Sequence, residues 1–499
     1  MSAMLAEWTK LRSVPRWIAT LVGAAVLTVG LSALGAAGGT TDVNDHPNFV
    51  TGPDGDPVAD GFGFAHRTVT GDVSVTVHVT SLSPASARAG QGGPDRGTVV
   101  PRTPWTDLAA GITLKDGTEP GSSYVSVLLT GTNGVRMQSD FTQDVAGSPS
   151  TGDRWLRLTR TGDEVTGFES ADGVAWQEIA TMTPAAVPDT AEIGPAVLSA
   201  PAVYVARGMG GSSMGEHPES AAATFEDVTV TPATDGTWRG TAVTMPITDD
   251  LIAMGAAEAL PGPVLTERSG TYTVTGSGKV GPQAPDDDVV EAALLGVVAG
   301  LMALICVGAL FGTSEYRRGM IRTTFTAMPR RGQVLAAKAT VLGATTFVLS
   351  LVAVVVSFLV AVPILQGSGM APPAFPTPSL TDAAVVRALV LTALFMTSVT
   401  LVALAVGMLV RRSAVAITLT IVLVVLPLVA GTVLPGTSPR WLMYTTLAGG
   451  MATLRAKPPT ATLAEPWALI GPGAGITVVL CYAAAALALA WWQLRRRDA

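Results

Sequence analysis

The string Gly276-Ser277-Gly278-Lys279-Val280 is the nearest approach in this chain to a cofactor-binding motif. It imitates the glycine–lysine end of a phosphate-binding loop, whose backbone N–H groups and lysine cradle phosphates. Yet Thr273 stands where the first glycine belongs, and Val280 stands where a hydroxyl would reach Mg²⁺. No other string of this kind occurs, so any ATP hydrolysis must come from a partner. His46, His66, His78 and His217 lack metal-ligand spacing and read as solvated or strand-face residues. Asp54-Gly55-Asp56 is too short to separate from a turn as a Ca²⁺ site. Glu164, Glu169 and Glu178 do not form the compact carboxylate set of a glycosidase and read as surface acidity. Cys306 and Cys481 both lie in apolar stretches, which leaves neither a disulfide framework nor a Cys-based zinc site. With no nucleophile–base pair either, the chain reads as a non-enzyme that binds no metal or cofactor of its own.

Two charged stretches remain. In Met4-Leu5-Ala6-Glu7-Trp8-Thr9-Lys10-Leu11-Arg12, residues Met4, Leu5, Trp8 and Leu11 share a helical face, with Glu7 and Lys10 away from it. This predicts an amphipathic helix on the inner membrane surface, stopped by Pro15. A basic anchor that only sets topology is the alternative. The second stretch, Gly312 to Lys338, contains Glu315, Tyr316, Arg317, Arg318, Gly319, Arg322, Arg330, Arg331 and Lys338. A loop that merely sets topology needs only about two or three charges. Glu315 has Arg318 at helical spacing, and Pro329 should divide the segment into two short helices. That is a shape for docking a partner protein.

The elements that carry these stretches follow from composition. Of 499 residues, 48% are hydrophobic and 14% charged, against about 25% charged in soluble proteins. The net charge of −7 hides an asymmetry: residues 38–288 sum to −19 and the rest to +12. An acidic polar half, with basic residues gathered at the ends of apolar segments, argues against nucleic acid as a partner. Six apolar stretches, near 17–37, 289–312, 341–364, 384–410, 414–434 and 469–492, are long enough to cross a bilayer as helices. With the N-terminus inside, the short inner segments hold fourteen Lys and Arg, and the short outer loops 365–383 and 435–468 hold Arg440, Arg455 and Lys457. This predicts a multi-pass protein of the cell membrane, both termini cytoplasmic, with 38–288 outside and 313–340 a cytoplasmic loop. The first span has flanks like those of a signal peptide, but its full bilayer length favours an uncleaved anchor.

Within the spans, Gly296, Gly300, Gly308 and Gly312 recur at multiples of four and lay down a smooth stripe for helix packing, inside the chain or across a dimer. No ionisable residue sits mid-span except Arg387, near an end, which speaks against an ion-coupled pathway. Residues 440–460 should form short outer helices, with Trp441 and Trp467 as interfacial anchors.

The external half alternates as β-strands at Val69–Thr80, Tyr124–Leu129, Trp155–Thr159 and Phe225–Thr229, and short strands at such spacing predict a sandwich or barrel. Residues 207–220 read as a mobile loop and 281–288 as a linker back to the membrane. The fold class is therefore a polytopic α-helical membrane protein, with six transmembrane helices and an inserted all-β sandwich.

Glu7-Trp8-Thr9-Lys10-Leu11-Arg12-Ser13, a first span, and then Glu315-Tyr316-Arg317-Arg318-Gly319-Met320-Ile321-Arg322-Thr323-Thr324 with Pro329-Arg330-Arg331 and Lys338 resemble the ABC-2 type permease family, actinobacterial members most of all. The likeness covers the six spans, about half the chain. It implies a dimeric exporter core, as a homodimer or a heterodimer of permeases, driven by a separate cytosolic ATP-binding subunit that carries the ATP and Mg²⁺. Carried over by position, contact with that ATPase is implied for Glu7, Trp8, Lys10 and Arg12 and for Glu315, Tyr316, Arg317, Arg318, Gly319 and Arg322. The large insertion after the first span departs from simpler members, which have a short loop there.

The insertion has its own likeness. Trp105 to Lys115, Tyr124 to Val127, Gly134 to Gln138, Trp155 to Leu158 and Gly167 to Trp176 are similar to a concanavalin/laminin-G-like sandwich, with Ser170-x-Asp172-Gly173-x-x-Trp176 as its recurrent hairpin. Asp172-Gly173 suits a tight turn, and Trp176 should pack on the following strand. Such domains often bind sugars, so an extracellular glycan or cell-wall ligand is implied as a partner without assigning any residue to it. Trp155 and Trp176 themselves read as core residues. Thr271 to Gly278 resembles the strand that opens such domains and should fold back as an edge strand. The competing reading of the whole chain is a membrane-anchored carbohydrate- or wall-binding sensor. Six spans exceed what anchoring needs.

Overall fold

The computed structural model describes residues 2–38, 50–86, 98–99, 102–208, 211–217, 219–233, 236–244, 264–283, 287–317, 331–434, 439–460, 463 and 465–496. The chain divides into two compact units. One comprises Met1–Asn44, Val205–Met214 and Asp286–Ala499, and the other Asp45–Tyr204 and Gly215–Pro285.

The first unit is helical: α1 (Ser2–Ser13), α2 (Pro15–Gly38), α3 (Val289–Ala293), α4 (Val297–Arg317), α5 (Arg331–Gly367), α6 (Ala383–Val410), α7 (Ser413–Val433), α8 (Pro439–Thr445) and α9 (Pro472–Arg496). Among the described residues, six helices (α2, α4, α5, α6, α7 and α9) are long and apolar enough to cross a membrane. Helix α6 is the most enclosed. Its buried Thr397 and Thr400 hydroxyls donate to the carbonyls of Ala393 and Met396, which lets polar side chains sit in an apolar bundle. By contrast, α2 exposes Val22, Val26 and Leu34, and α7 exposes Val415, Leu426 and Val429. Apolar faces of this kind suit a hydrocarbon solvent.

Two helix boundaries differ from the sequence expectation. The stretch 289–312 is broken: α3 ends at Ala293, capped at its start by Asp288, whose Oδ1 accepts from Val290 N at 2.9 Å, and α4 begins at Val297. Helix α5 already runs from Arg331, so residues 331–340 are helix rather than loop, and Lys338 is buried in it. Between α7 and α9 the chain forms α8 and two 3-10 turns, Leu447–Leu454 and Pro466–Leu469. Trp441 is exposed there as an anchor would be, but Trp467 is half-buried and donates to Glu291.

The second unit is built on two seven-stranded antiparallel sheets. Edge to edge, one runs Gln177–Met182, Glu164–Ser170, Arg154–Thr161, Val73–Ser86, Ser220–Thr231, Thr271–Ser277, Leu265–Arg268. The other runs Arg239–Val243, Phe62–Thr70, Thr190–Leu198, Ala109–Lys115, Tyr124–Thr130, Val135–Ser139, Gln143–Ala146. Alternate residues of the two sheets, among them Val75, Val77, Leu156, Leu158 and Phe225 from the first and Ile112, Val125, Val127 and Ile193 from the second, form one core.

Four expectations change here. Val69–Thr80 is two strands in different sheets, because Gly71 takes φ 75° and turns the chain from one to the other. Thr271–Ser277 does fold back, pairing with Ser220–Thr231, but Leu265–Arg268 lies outside it and makes the edge. Within 207–220, the described residues form strands Ala202–Gly208 and Gly211–His217, neighbours in a small sheet, instead of a loop. Trp155 and Trp176 lie outside the core. Trp155 stacks on His78 of the adjacent strand (centroids 4.5 Å, 4° between planes), and Trp176 packs under the Arg157 guanidinium at 3.8 Å, not on the following strand.

Candidate functional site

Of the residues that carry the sequence reading, Glu7, Tyr316 and Lys338 lie at one end of the helical unit. Helix α1 lies along the first turns of α5, held by Glu7 and Lys338. Lys338 Nζ donates to Glu7 Oε2 at 3.0 Å, and the side chains are 1% and 8% exposed. Glu7 is thus the buried side of α1, not a polar flank. Leu11 is buried beside it, and Lys10 is 4.0 Å from Glu7. Lys338 also sits 4.9 Å from the centroid of Phe311 on α4, and Phe311 meets Trp17 of α2 edge-on at 5.4 Å. One buried ammonium therefore ties α1, α4 and α5 together. Such a pair offsets its desolvation only when geometry and partners are good, and breaking it leaves a stranded charge.

The apolar face of α1 stays open. Met4, Leu5 and Trp8 are exposed, and with Val341, Ala344, Val348 and Val352 of α5 they line a groove of about 740 Å³. Arg12 is exposed at the end of α1. At the same end, Tyr316 closes α4 against a cluster of Leu335, Ala405, Met408, Ala490 and Leu494, with the Arg411 guanidinium 5.1 Å from its ring. Glu315 and Arg317 belong to the last turn of α4. Arg318, Gly319, Arg322 and Pro329 lie outside the described residues.

The glycine stripe serves two different neighbours within the chain. A Cβ on Gly296 would come within 2.0 Å of Thr28 O, and one on Gly300 within 1.9 Å of Thr28 Oγ1, both on α2. On Gly308 and Gly312 it would come within 2.4 Å of Thr400 O and 2.7 Å of Leu404 O, both on α6. Helix α4 is wedged between α2 and α6, its small residues allowing close approach on both sides.

At the other end, sequence reasoning missed a polar cluster. Arg455, 2% exposed, donates to Glu291 Oε2 at 2.8 Å, and Asp288 Oδ2 accepts from the backbone N–H groups of Ala456 and Lys457 at 2.6 and 2.8 Å. Arg387 donates to Ala456 O at 2.8 Å. The cluster closes the short segment 447–457 onto α3, and the only local trace of it is the run Asp286-Asp287-Asp288 just before an apolar stretch.

In the β unit, Gly276 and Gly278 have structural reasons. A Cβ on Gly276 would fall 1.8 Å from Val197 O, and Gly278 takes φ 97° where its N–H donates to Ser199 O at 2.9 Å. These glycines let two strands touch, so nothing in their placement calls for a phosphate. His66 bonds Glu192 and Thr241 at 2.6 and 2.9 Å. Among the described residues no three His, Cys, Asp or Glu gather as a metal site.

Residues 280–499 match the model of a family described as "Protein of unknown function (DUF2705)". No curated protein matches the chain. Among solved structures, a functionally unknown protein from Saccharomyces cerevisiae is similar at 13% sequence identity, over 35% of this chain and 76% of that one, with a TM-score of 0.23.

Proposed function

We propose that the chain is the membrane-spanning permease subunit of an ABC-2 type transporter, an exporter driven by a separate ATP-binding subunit. The observation that carries this reading is the Glu7–Lys338 pair. It fastens the N-terminal helix to the third spanning helix, beside the end of α4 from which the basic segment leaves. In this reading α1 and the basic segment that follows α4 act together as the contact for the ATPase. A push on α1 is passed to α5 through a buried ion pair, and to α4 through Phe311 and Trp17. The exposed apolar residues of α1 suit the headgroup boundary of the inner leaflet.

Purification of the full chain with its candidate ATP-binding partner tests this. A stable complex is expected, and Glu315→Ala together with Arg322→Ala should uncouple ATP hydrolysis from the permease. A chain that recruits no ATPase, or substitutions that leave coupling unchanged, would overturn the reading. A sensor that uses the β unit for recognition is the second reading. It is favoured by the half-buried outer-face row of His78, Trp155 and Trp176. It predicts ATPase recruitment without substrate movement.

A further inference from the structure

Lys115 ends the strand Ala109–Lys115, and Asp60 ends the strand Pro57–Asp60. Both side chains are wholly removed from solvent, and Lys115 Nζ lies 2.7 Å from Asp60 Oδ2. A buried ion pair is tolerable when its remaining lone pairs and protons are matched. Here they are not. Oδ2 accepts from Lys115 and from Gly121 N–H at 2.7 Å, while Oδ1 is buried without a partner among the described residues. An ammonium has three N–H groups to place. One goes to Oδ2 and another to the Ser122 carbonyl at 2.8 Å. The rings of Tyr124 and Phe141, both buried, have their centroids 5.9 and 5.8 Å from Nζ.

Around the pair the protein supplies one donor, Gly121 N–H, and one acceptor, Ser122 C=O. That is the complement of a secondary amide, which has one acceptor oxygen and one N–H. We propose that Lys115 and Asp60 are joined after folding by an intramolecular amide bond between Nζ and Cγ. The step is a condensation. The lone pair of the free amine forms the Nζ–Cγ bond, the Cγ–Oδ1 bond breaks, and the hydroxyl leaves as water with one proton from Nζ. No other reactant is consumed. Oδ2 becomes the amide carbonyl, still held by Gly121, and the remaining Nζ–H still donates to Ser122. The orphan oxygen and the surplus N–H protons both disappear from the core.

The fold supplies what the step needs. Burial pushes the Asp60 carboxyl up and the Lys115 amine down, toward the neutral acid and free amine that condense. The segment carrying Gly121 and Ser122 is pinned, which keeps the reacting groups in register. Asp140 Oδ1 accepts from Ser123 Oγ at 2.5 Å and from Tyr124 N at 3.1 Å, and Asp140 and Phe141 take φ 48° and 64° in the turn that places the Phe141 ring. The result ties together residues 55 positions apart in a unit that has no cysteine, doing there what a disulfide does elsewhere.

Mass spectrometry of the full-length protein tests this, with peptide mapping after chymotrypsin digestion. A mass lower by one water is expected, together with a branched peptide that joins Asp60 to Lys115. Recovery of linear peptides carrying an unmodified Asp60 and an unmodified Lys115 overturns it. The wild-type protein decides the matter by itself, so no variant has to fold. Lys115→Arg cannot condense and should show the full mass; a Lys115→Arg protein still lacking one water would overturn the assignment to this side chain.

Discussion

Lys338 Nζ lies 3.0 Å from Glu7 Oε2, both buried, although the two residues are 331 positions apart in the chain. Removal of one partner strands the other in an apolar bundle. Lys338→Ala should lower stability by about 3 kcal/mol or more, and Glu7→Gln with Lys338→Met should recover most of that loss. A double-mutant cycle on thermal unfolding in detergent reads this out. A double variant whose loss is the sum of the two single losses would show the pair to be uncoupled.

The two halves of the glycine stripe should behave alike, and unlike an open glycine. Gly308→Leu drives a side chain at Thr400 O and Gly300→Leu drives one at Thr28, so each should cost about 1–3 kcal/mol. Gly23 meets nothing within 4 Å, and Gly23→Ala should be neutral or add about 0.5–1 kcal/mol. Melting temperatures of the three variants in one detergent settle the order.

The Asp172 hairpin gives the β unit an acid-sensitive corner. The N–H groups of Ala175 and Val174, and then the Ser170 hydroxyl, hold the Asp172 carboxyl below its ordinary value of 3.8. A folded pKa below the unfolded one means that the carboxylate form favours the fold. The contribution is complete above the ordinary value and is lost as pH falls through the lower, folded one. In calorimetry of the sandwich transition, the difference between wild type and Asp172→Asn should be constant well above pH 3.8 and shrink below it.

The glycine–lysine string should show structure without nucleotide. Gly276→Ala forces a methyl against Val197 O and should lower the melting temperature of the sandwich, while the isolated chain should bind no ATP with or without Lys279→Ala. Equilibrium dialysis with ATP and a thermal melt separate the two roles, and ATP retention lost in Lys279→Ala would reverse the assignment.

Much of this protein was legible in its sequence because the relevant signals are local. About twenty apolar residues in a row suffice to mark a spanning helix, and the six helices were placed from such runs. Alternation marked the strands Tyr124–Thr130 and Arg154–Thr161, and Ser170-x-Asp172-Gly173 marked a turn whose hydrogen bonds close within four residues. Local signals also misled in specific ways. The alternation in 69–80 continues through Gly71, where a positive φ carries the chain to the other sheet. Trp155 and Trp176 are large and aromatic, which suggested the core; strand parity set Trp155 on the outer face, and Trp176 lies under Arg157.

What only the tertiary structure decided is which distant groups meet. Glu7 looked like a polar flank of an amphipathic helix until α5 brought Lys338 to it, and one stripe of glycines proved to serve two helices. Arg455 with Glu291, and Asp60 with Lys115, are pairings across 164 and 55 positions. The period of a helix or strand states which face a residue occupies, not what lies against that face. The length and polarity of the segments therefore determined the architecture, whereas burial of charge beside charge, on which the proposed coupling and the proposed Lys115–Asp60 bond both depend, exists only once the elements have packed.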